Sequence, residues 1–372
     1  MRARYASGSL GKLRKGAPMV AAVAGVSLAL AACGGSSGDP SADDGEGDSS
    51  PGGTVVVSDW GGAIQDAEVE HLYRPFEEET GIKVVIAEPP STAKIKAMVD
   101  ANNVEWDLVS GSTSIVLALG RDYFEEIPAE YSHVEGVPDE FIDTHTAAYY
   151  VFSSNIGWNT EAFDGDRMEN WADFWDFERF PGNRTISGSD GGNRPFLEAA
   201  LLADGVEIDD LYPLDIDRAF DKLEELKPYV PQWWSSGSQP GQMLVSNQVT
   251  AAHIWSGRVF TLQEEGAPID HTWNQGKMEP AAWMVPKGAK NKEAAFELIK
   301  YSLQPEVQAR LWGNYPASPT NLLAIDEMDP EYAKTLSTHP DNYAVQFMAD
   351  YEWWAENEAE VLERWDRFLL SN

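Results

Sequence analysis

Past residue 53 the apolar positions fall into short blocks whose period switches between strand and helix. Thr54 to Val57 is a β-branched run, broken by Ser58-Asp59-Trp60-Gly61-Gly62. Val69, Leu72 and Phe76 then recur at helical spacing and stop at Gly81, placed as a C′ glycine. Ile82 to Ile86 reads as a second, buried strand. Thr92 to Asn102 carries Ile95, Met98 and Val99 on one helical face, and Trp106 to Val109 reads as a third strand. Strands alternating with helices at this spacing predict an α/β unit with a parallel sheet covered on both sides. In such sheets ligands sit beyond the carboxyl ends of the strands. The loops Ser58–Gly62 and Ser110–Ser114 occupy those ends, so Trp60 is either a ligand-facing rim aromatic or a core residue closing its strand.

Further on, Ala147 to Asn159 is extended and apolar, and Glu161 to Phe180 is rich in Trp and Phe. The strand-like Arg184 to Ser187 runs into the glycine-rich loop Gly188 to Arg194, followed by a helix from Pro195 to Ala203. A glycine-rich loop entering a helix start presents free N–H groups, but this one lacks the Lys-Ser/Thr of a P-loop and the spacing of a dinucleotide fingerprint. It reads equally as a ligand-facing loop or a tight turn. Asp217 to Lys227 reads as a surface helix that buries Phe220, Leu223 and Leu226. The alternation after Ile156 predicts a second lobe. Within it, Trp233-Trp234, with Gln239 and Gln242 behind, reads chiefly as packing, with one ring able to line a cleft.

The N-terminal segment follows different rules. Arg2, Arg4, Lys12, Arg14 and Lys15 precede an apolar run from Met19 to Ala32 that is too short to span a membrane. It ends at Leu30-Ala31-Ala32-Cys33, the last being the chain's single cysteine. That ending resembles a bacterial lipobox, which implies a signal peptide over residues 1–32, lipidation of Cys33, and an extracytoplasmic protein anchored to the cell membrane. Two or more acyl chains anchor stably where one does not. Gly34 to Gly53 has no large apolar residue and reads as a flexible spacer between lipid and body.

With Cys33 committed to lipid, disulfides, thiolate metal sites and cysteine nucleophiles are excluded. Without the five basic residues of the leader, 22 Lys and Arg remain against 61 Asp and Glu, a net charge of −39. Such a surface repels nucleic acid and anionic lipid and favours cations, although plain solubility outside the cell or in salt accounts for it better than steering does. No cofactor signature is present. The six histidines form no His-Glu-x-x-His helix, and there is no Gly-x-Ser-x-Gly elbow. Adjacent Tyr149 and Tyr150 match the tyrosine pair of ferric-ion binders in type but lie outside the second-lobe loops. A tethered extracellular hydrolase acting on a small amide or sugar, and a purely structural surface lipoprotein, are the alternatives.

Several stretches together resemble the extracellular solute-binding proteins of ABC importers, nearest the spermidine/putrescine-binding branch. They are Asp59-Trp60, Thr80-Gly81-Ile82-Lys83-Val84, Asp107-Leu108-Val109, Trp171-Ala172-Asp173-Phe174-Trp175, Ile254-Trp255-Ser256-Gly257, Pro268-Ile269-Asp270, Lys290-Asn291-Lys292-Glu293-Ala294-Ala295 and Tyr315-Pro316. The resemblance implies a two-lobe periplasmic-binding-protein-like fold of type II, with a ligand cleft between lobes. One lobe would hold 54–153 and 272–315, the other 154–271 and 316–372. The chain would cross near Ser153 to Trp158 and again near His271 to Gly276. The resemblance also implies a monomer that captures a small amine and delivers it to an ABC permease with its ATPase. Carried over by position, the ligand residues are Trp60, Ser112, Thr113, Trp255, Tyr315 and either Trp353 or Trp354. Where the family keeps a carboxylate pair, this chain has Gly191 and Arg194; where it keeps an Asp, this chain has Ala281, with Glu279 two residues before. Glu279 is therefore expected to meet an ammonium and Arg194 a carboxylate or hydroxyl, which points to a polyamine-class amine with an acidic or hydroxylated end.

Overall fold

In β1 (Thr54–Ser58), Val55 and Val57 point into a core while Ser58 closes the strand. The computed structural model describes residues 53–188, 195–313 and 315–371; the leader with Cys33, and the loop containing Gly191 and Arg194, lie outside the described residues. Helix α1 (Gly62–Glu68) continues through one π turn (Val69–Tyr73) into α2 (Arg74–Thr80), which ends at Gly81 with φ 75°, a left-handed cap. β2 (Lys83–Ala87), α3 (Thr92–Asp100), β3 (Leu108–Gly111) and α4 (Ser114–Leu119) complete the opening βα units.

β2 is a correction to the sequence reading. It pairs only with β1 and lies at the sheet edge, so Val85 and Ile86 are exposed rather than buried. An apolar run alone does not distinguish a central strand from an edge strand.

Two long strands organise the rest: β4 (Thr146–Asn159) and, after β5 (Arg184–Thr185) and β6 (Ala251–Trp255), β7 (Ile269–Met284). The sheet runs β2-β1-β3-β7-β4-β6-β5, ten strands in all once the short Ile142–Asp143, Ser318–Pro319 and Phe347–Met348 strands are counted. β1, β2 and β3 are parallel to one another, whereas β4 and β7 are antiparallel.

That antiparallel register shifts twice, between Ala148 and Tyr150 and again, midway, between Ser154 and Ile156. Ser154 faces Lys277 and Ile156 faces Thr272, so β7 bulges outward over residues 273–276. The second lobe holds the bulge: the Trp171 backbone N–H donates to Gln275 Oε1 and its indole N–H to Gln275 O, both at 3.0 Å.

Hydrophobic packing divides at this point. One core gathers Val55, Leu72, Phe76, Tyr149, Trp283 and Trp312. The other gathers Ile156, Trp171, Phe174, Leu201, Trp354 and Trp365. The molecule is thus a two-lobe α/β fold in which β4 and β7 run through both lobes. The first core also takes Ala317, Ala324, Ile325, Met328, Ala333 and Leu336. Residues 316–336, expected in the second lobe, therefore pack with the first. The return comes later, at Phe347 and along α10 below. The physical reason is local: Thr320 Oγ1 donates to Ala148 O and the Asn321 backbone N–H to Gln308 Oε1, fastening this segment to first-lobe elements.

The remaining helices used below are α5 (Leu197–Ala203), α6 (Ile216–Leu226), α7 (Ser256–Glu264), α8 (Lys292–Ser302), α9 (Pro305–Trp312) and α10 (Tyr351–Leu370). Among the described residues no helix is long and apolar enough to cross a membrane.

Candidate ligand cleft

Where β4 passes between the lobes, strand pairing sets one face of the sheet. Trp255 at the end of β6 faces Ser154, and Glu279 on β7 faces Phe152. Residues two apart on a strand share a face, so Phe152, Ser154, Trp255, Lys277 and Glu279 project together. The contacts follow: Phe152 and Trp255 meet edge to face at 5.5 Å, and Ser154 Oγ donates to Glu279 Oε1 at 2.5 Å. Lys277 Nζ lies 3.8 Å from Glu279 Oε1.

Trp255 is held from behind as well. Trp234 meets it edge to face at 5.8 Å, and a Cβ on Gly237 would sit 2.1 Å from its ring. Residue 237 must therefore be glycine for the ring to rest on that backbone. Trp234 is itself buried, its indole N–H donating to His253 O, while Trp233 turns away onto Trp365 and Phe368. The adjacent tryptophans thus split as expected of neighbours on an extended segment.

Tyr315 reaches this group through backbone contact. A Cβ on Gly257 would meet Pro316 O at 2.8 Å, so the start of α7 and the Tyr315-Pro316 turn touch directly. Burial pushes the Tyr315 hydroxyl up, while the nearby Arg258 charge pulls it back down. Arg258 is exposed and has no hydrogen-bond or ion-pair partner among the described residues.

On the first lobe, Trp60 is 50% exposed just beyond β1. Its backbone N–H donates to Asp59 Oδ1 at 2.6 Å, and Tyr73 donates to Asp59 Oδ2 at 3.0 Å. Beneath lies Glu68, fully buried, accepting from Tyr149 at 2.6 Å with its second oxygen unpartnered. Burial pushes this carboxyl well above its ordinary range, with the neighbouring Asp59 adding to the rise and Tyr149 offsetting part of it. Tyr150 is raised by burial and by the charges of Glu68 and Asp59, with Tyr315 contributing, so the web extends from the Trp60 loop to the Tyr315 turn. Tyr149 and Tyr150 are core residues, Tyr149 stacking on Trp283 at 4.0 Å.

The structure therefore places Trp255 and Glu279 on one face, sets the Tyr315-Pro316 turn against the start of α7, and ties Trp60 to the acidic floor through Asp59. Ser112 and Thr113 stand at the end of β3, their hydroxyls engaged locally with Ser114 and Thr146. Trp354 does not join. It is 1% exposed in the second core, donating to Glu198 at 2.9 Å. That position is a correction to the sequence expectation, because α10 turns Trp354 inward to satisfy a buried carboxylate. Trp353 packs edge to face on Tyr212. Arg258, Phe152 and Lys277 were missed. Arg258 directly follows the Ile-Trp-Ser-Gly stretch, which was the available signal; the other two depend on strand register.

Two surface hollows of about 260 and 330 Å³ lie elsewhere. One is between α6 and α10, lined by Phe220 and Arg364, the other between α2, α8 and α9, lined by Phe76 and Tyr301. Neither contains any residue of the crossing. Among the described residues, no group of three or more His, Cys, Asp or Glu is placed to hold a metal.

The family model for bacterial extracellular solute-binding proteins matches residues 71–338, and the chain belongs to that family. It is the solute-binding component of an ABC transporter. A γ-aminobutyric acid-binding protein of Pseudomonas aeruginosa is 33% identical over 326 residues, covering 84% of this chain and 90% of that protein. A spermidine/putrescine-binding periplasmic protein of Escherichia coli is 28% identical, covering 73% and 79%. Among solved structures, a GABA receptor superposes with a TM-score of 0.77 at 33% identity, covering 86% of this chain and 98% of that one. Of these relatives, the spermidine/putrescine-binding protein is named as periplasmic.

Proposed function

We propose that the protein captures a small ω-amino acid of the 4-aminobutyrate class outside the cell and hands it to an ABC permease. The observation that carries this reading is Arg258: an exposed guanidinium, without a hydrogen-bond or ion-pair partner among the described residues, three positions past Trp255 and close enough to Tyr315 for its charge to act on that hydroxyl. A carboxylate at one end and a guanidinium at the other match a zwitterion, the guanidinium receiving a carboxylate through paired N–H donors. A diamine would leave Arg258 facing a like charge. The aromatic rings suit the ligand's methylenes and its ammonium. The 33% identical γ-aminobutyric acid-binding protein supports the same ligand class. Contacts from both lobes would favour the closed form, and the permease would read that shape.

Calorimetric titration with 4-aminobutyrate, putrescine and spermidine tests this. The tightest binding is expected for 4-aminobutyrate, and Arg258→Ala should weaken it about tenfold or more, as expected for a lost charge-assisted hydrogen bond. Arg194→Ala, the cation to which the sequence points, is the parallel arm. Tight spermidine binding with no response to 4-aminobutyrate would reject the reading.

The body is also proposed to be tethered by lipid on Cys33, on the strength of the Leu-Ala-Ala-Cys ending and the polar spacer. Cys33→Ser is expected to yield a ligand-competent protein that takes up no labelled fatty acid. Label in the Ser variant would defeat the proposal.

A further inference from the structure

Lys277 and Glu279 lie two residues apart on β7 and point to the same face at the crossing. Lys277 Nζ stands 4.4 Å above the centre of the Phe196 ring and 3.8 Å from Glu279 Oε1. Its side chain is 13% exposed. Ser154 donates to the same Glu279 oxygen. Beside them His253 packs 4.8 Å from Phe196, with neither ring nitrogen partnered among the described residues. Burial, with the Lys277 charge added, pushes that ring's pKa well below the usual imidazole range.

An aromatic face and a carboxylate a few ångströms apart are what a small ammonium requires. In this protein the chain's own ammonium already occupies the place. The Glu279–Lys277 pair, at 3.8 Å, is an ion pair without a hydrogen bond, and the ammonium donates to no described residue, so the arrangement is displaceable rather than a closed structural ion pair.

Resting on the ligand reading above, we propose that Lys277 is a specificity-determining residue: its Nζ marks the position of the ligand's amine, and ligand binding requires it to move aside. A zwitterion compensates the move, because its carboxylate gives the displaced Lys277 a new partner. A diamine takes Glu279 from Lys277 and adds a second cation instead. The site would therefore discriminate against polyamines through a charge that belongs to the protein itself. The same argument explains how a cleft with polyamine-type aromatics selects an amino acid.

The test is titration of wild type, Lys277→Met and Lys277→Arg with putrescine and with 4-aminobutyrate. The ratio of the putrescine to the 4-aminobutyrate Kd is expected to fall about tenfold or more in Lys277→Met, and to stay near wild type in Lys277→Arg. An unchanged ratio in Lys277→Met overturns the proposal. Thermal unfolding checks that each variant is folded, and Lys277→Gln replaces the Met variant if that one is not. Wild type that prefers putrescine would reject the ligand reading, yet the shift on Lys277→Met would still decide the role of Lys277. If wild type binds neither probe, putrescine binding gained in Lys277→Met supports the proposal and its absence overturns it.

Discussion

Trp255→Ala is expected to weaken ligand binding by about 2–4 kcal/mol, roughly 30- to 700-fold, the range of a central aromatic anchor. Three structural facts set that size. The ring is half-buried, it is braced by Phe152 and Trp234, and the Gly237 backbone fixes its plane. A pre-positioned ring loses little entropy when ligand arrives, so most of its contact area appears as affinity. Gly237→Ala should reproduce part of the loss, because its methyl group would collide with the ring. Trp60→Ala should also reduce affinity while leaving the thermal midpoint almost unchanged, since half of that side chain is already in water. The measurement is a pair, calorimetric Kd and thermal midpoint, on each variant. Unchanged affinity with a lowered midpoint for Trp255→Ala would make it a packing residue and displace the cleft from this face.

The parts of this arrangement legible in the sequence were those governed by local periodicity. Gly81 ended its helix as a left-handed cap, and Phe220, Leu223 and Leu226 formed the buried stripe of α6. The alternation of strands and helices gave the α/β class. What could not be read was the consequence of long-range pairing. Glu68 lies on a helix in a strongly acidic chain and looks like one more solvated carboxylate, yet α1 turns it to the floor beneath Trp60. Trp354 has the same residue type as a cleft aromatic, but the rotation of α10 gives it to Glu198. Phe152 reaches Trp255 only because β4 and β6 pair in one register, and a shift of one residue would turn it to the opposite face. Residues 316–336 follow the Tyr-Pro turn without any compositional break, so their attachment to the first core shows only in the hydrogen bonds of Thr320 and Asn321.

Glu68→Gln is expected to stabilise the protein increasingly as pH rises. In the folded chain burial first, and then the neighbouring Asp59, push the Glu68 carboxyl well above its ordinary range, so its folded pKa lies above its unfolded one. The unfolded chain releases this proton at an ordinary carboxyl pKa, while the folded chain retains it. Above that ordinary range the folded state binds more protons, and stability falls as pH increases toward the folded pKa. The slope is at most about 1.4 kcal/mol per pH unit for one proton. Glutamine removes that slope and keeps the shape: its oxygen can accept from Tyr149, and its amide can donate toward Asp59. Tyr73, Tyr149, Tyr150 and Tyr315 also face this floor, but burial raises all four hydroxyls, so none loses a proton in the same window. Urea unfolding of both proteins between about pH 4 and about pH 8 gives the difference directly. The two curves should converge near the acid end and separate steadily above it, with ligand affinity retained because the Asp59–Trp60 bond is untouched. Parallel stability curves across the range would mean that Glu68 ionises in place.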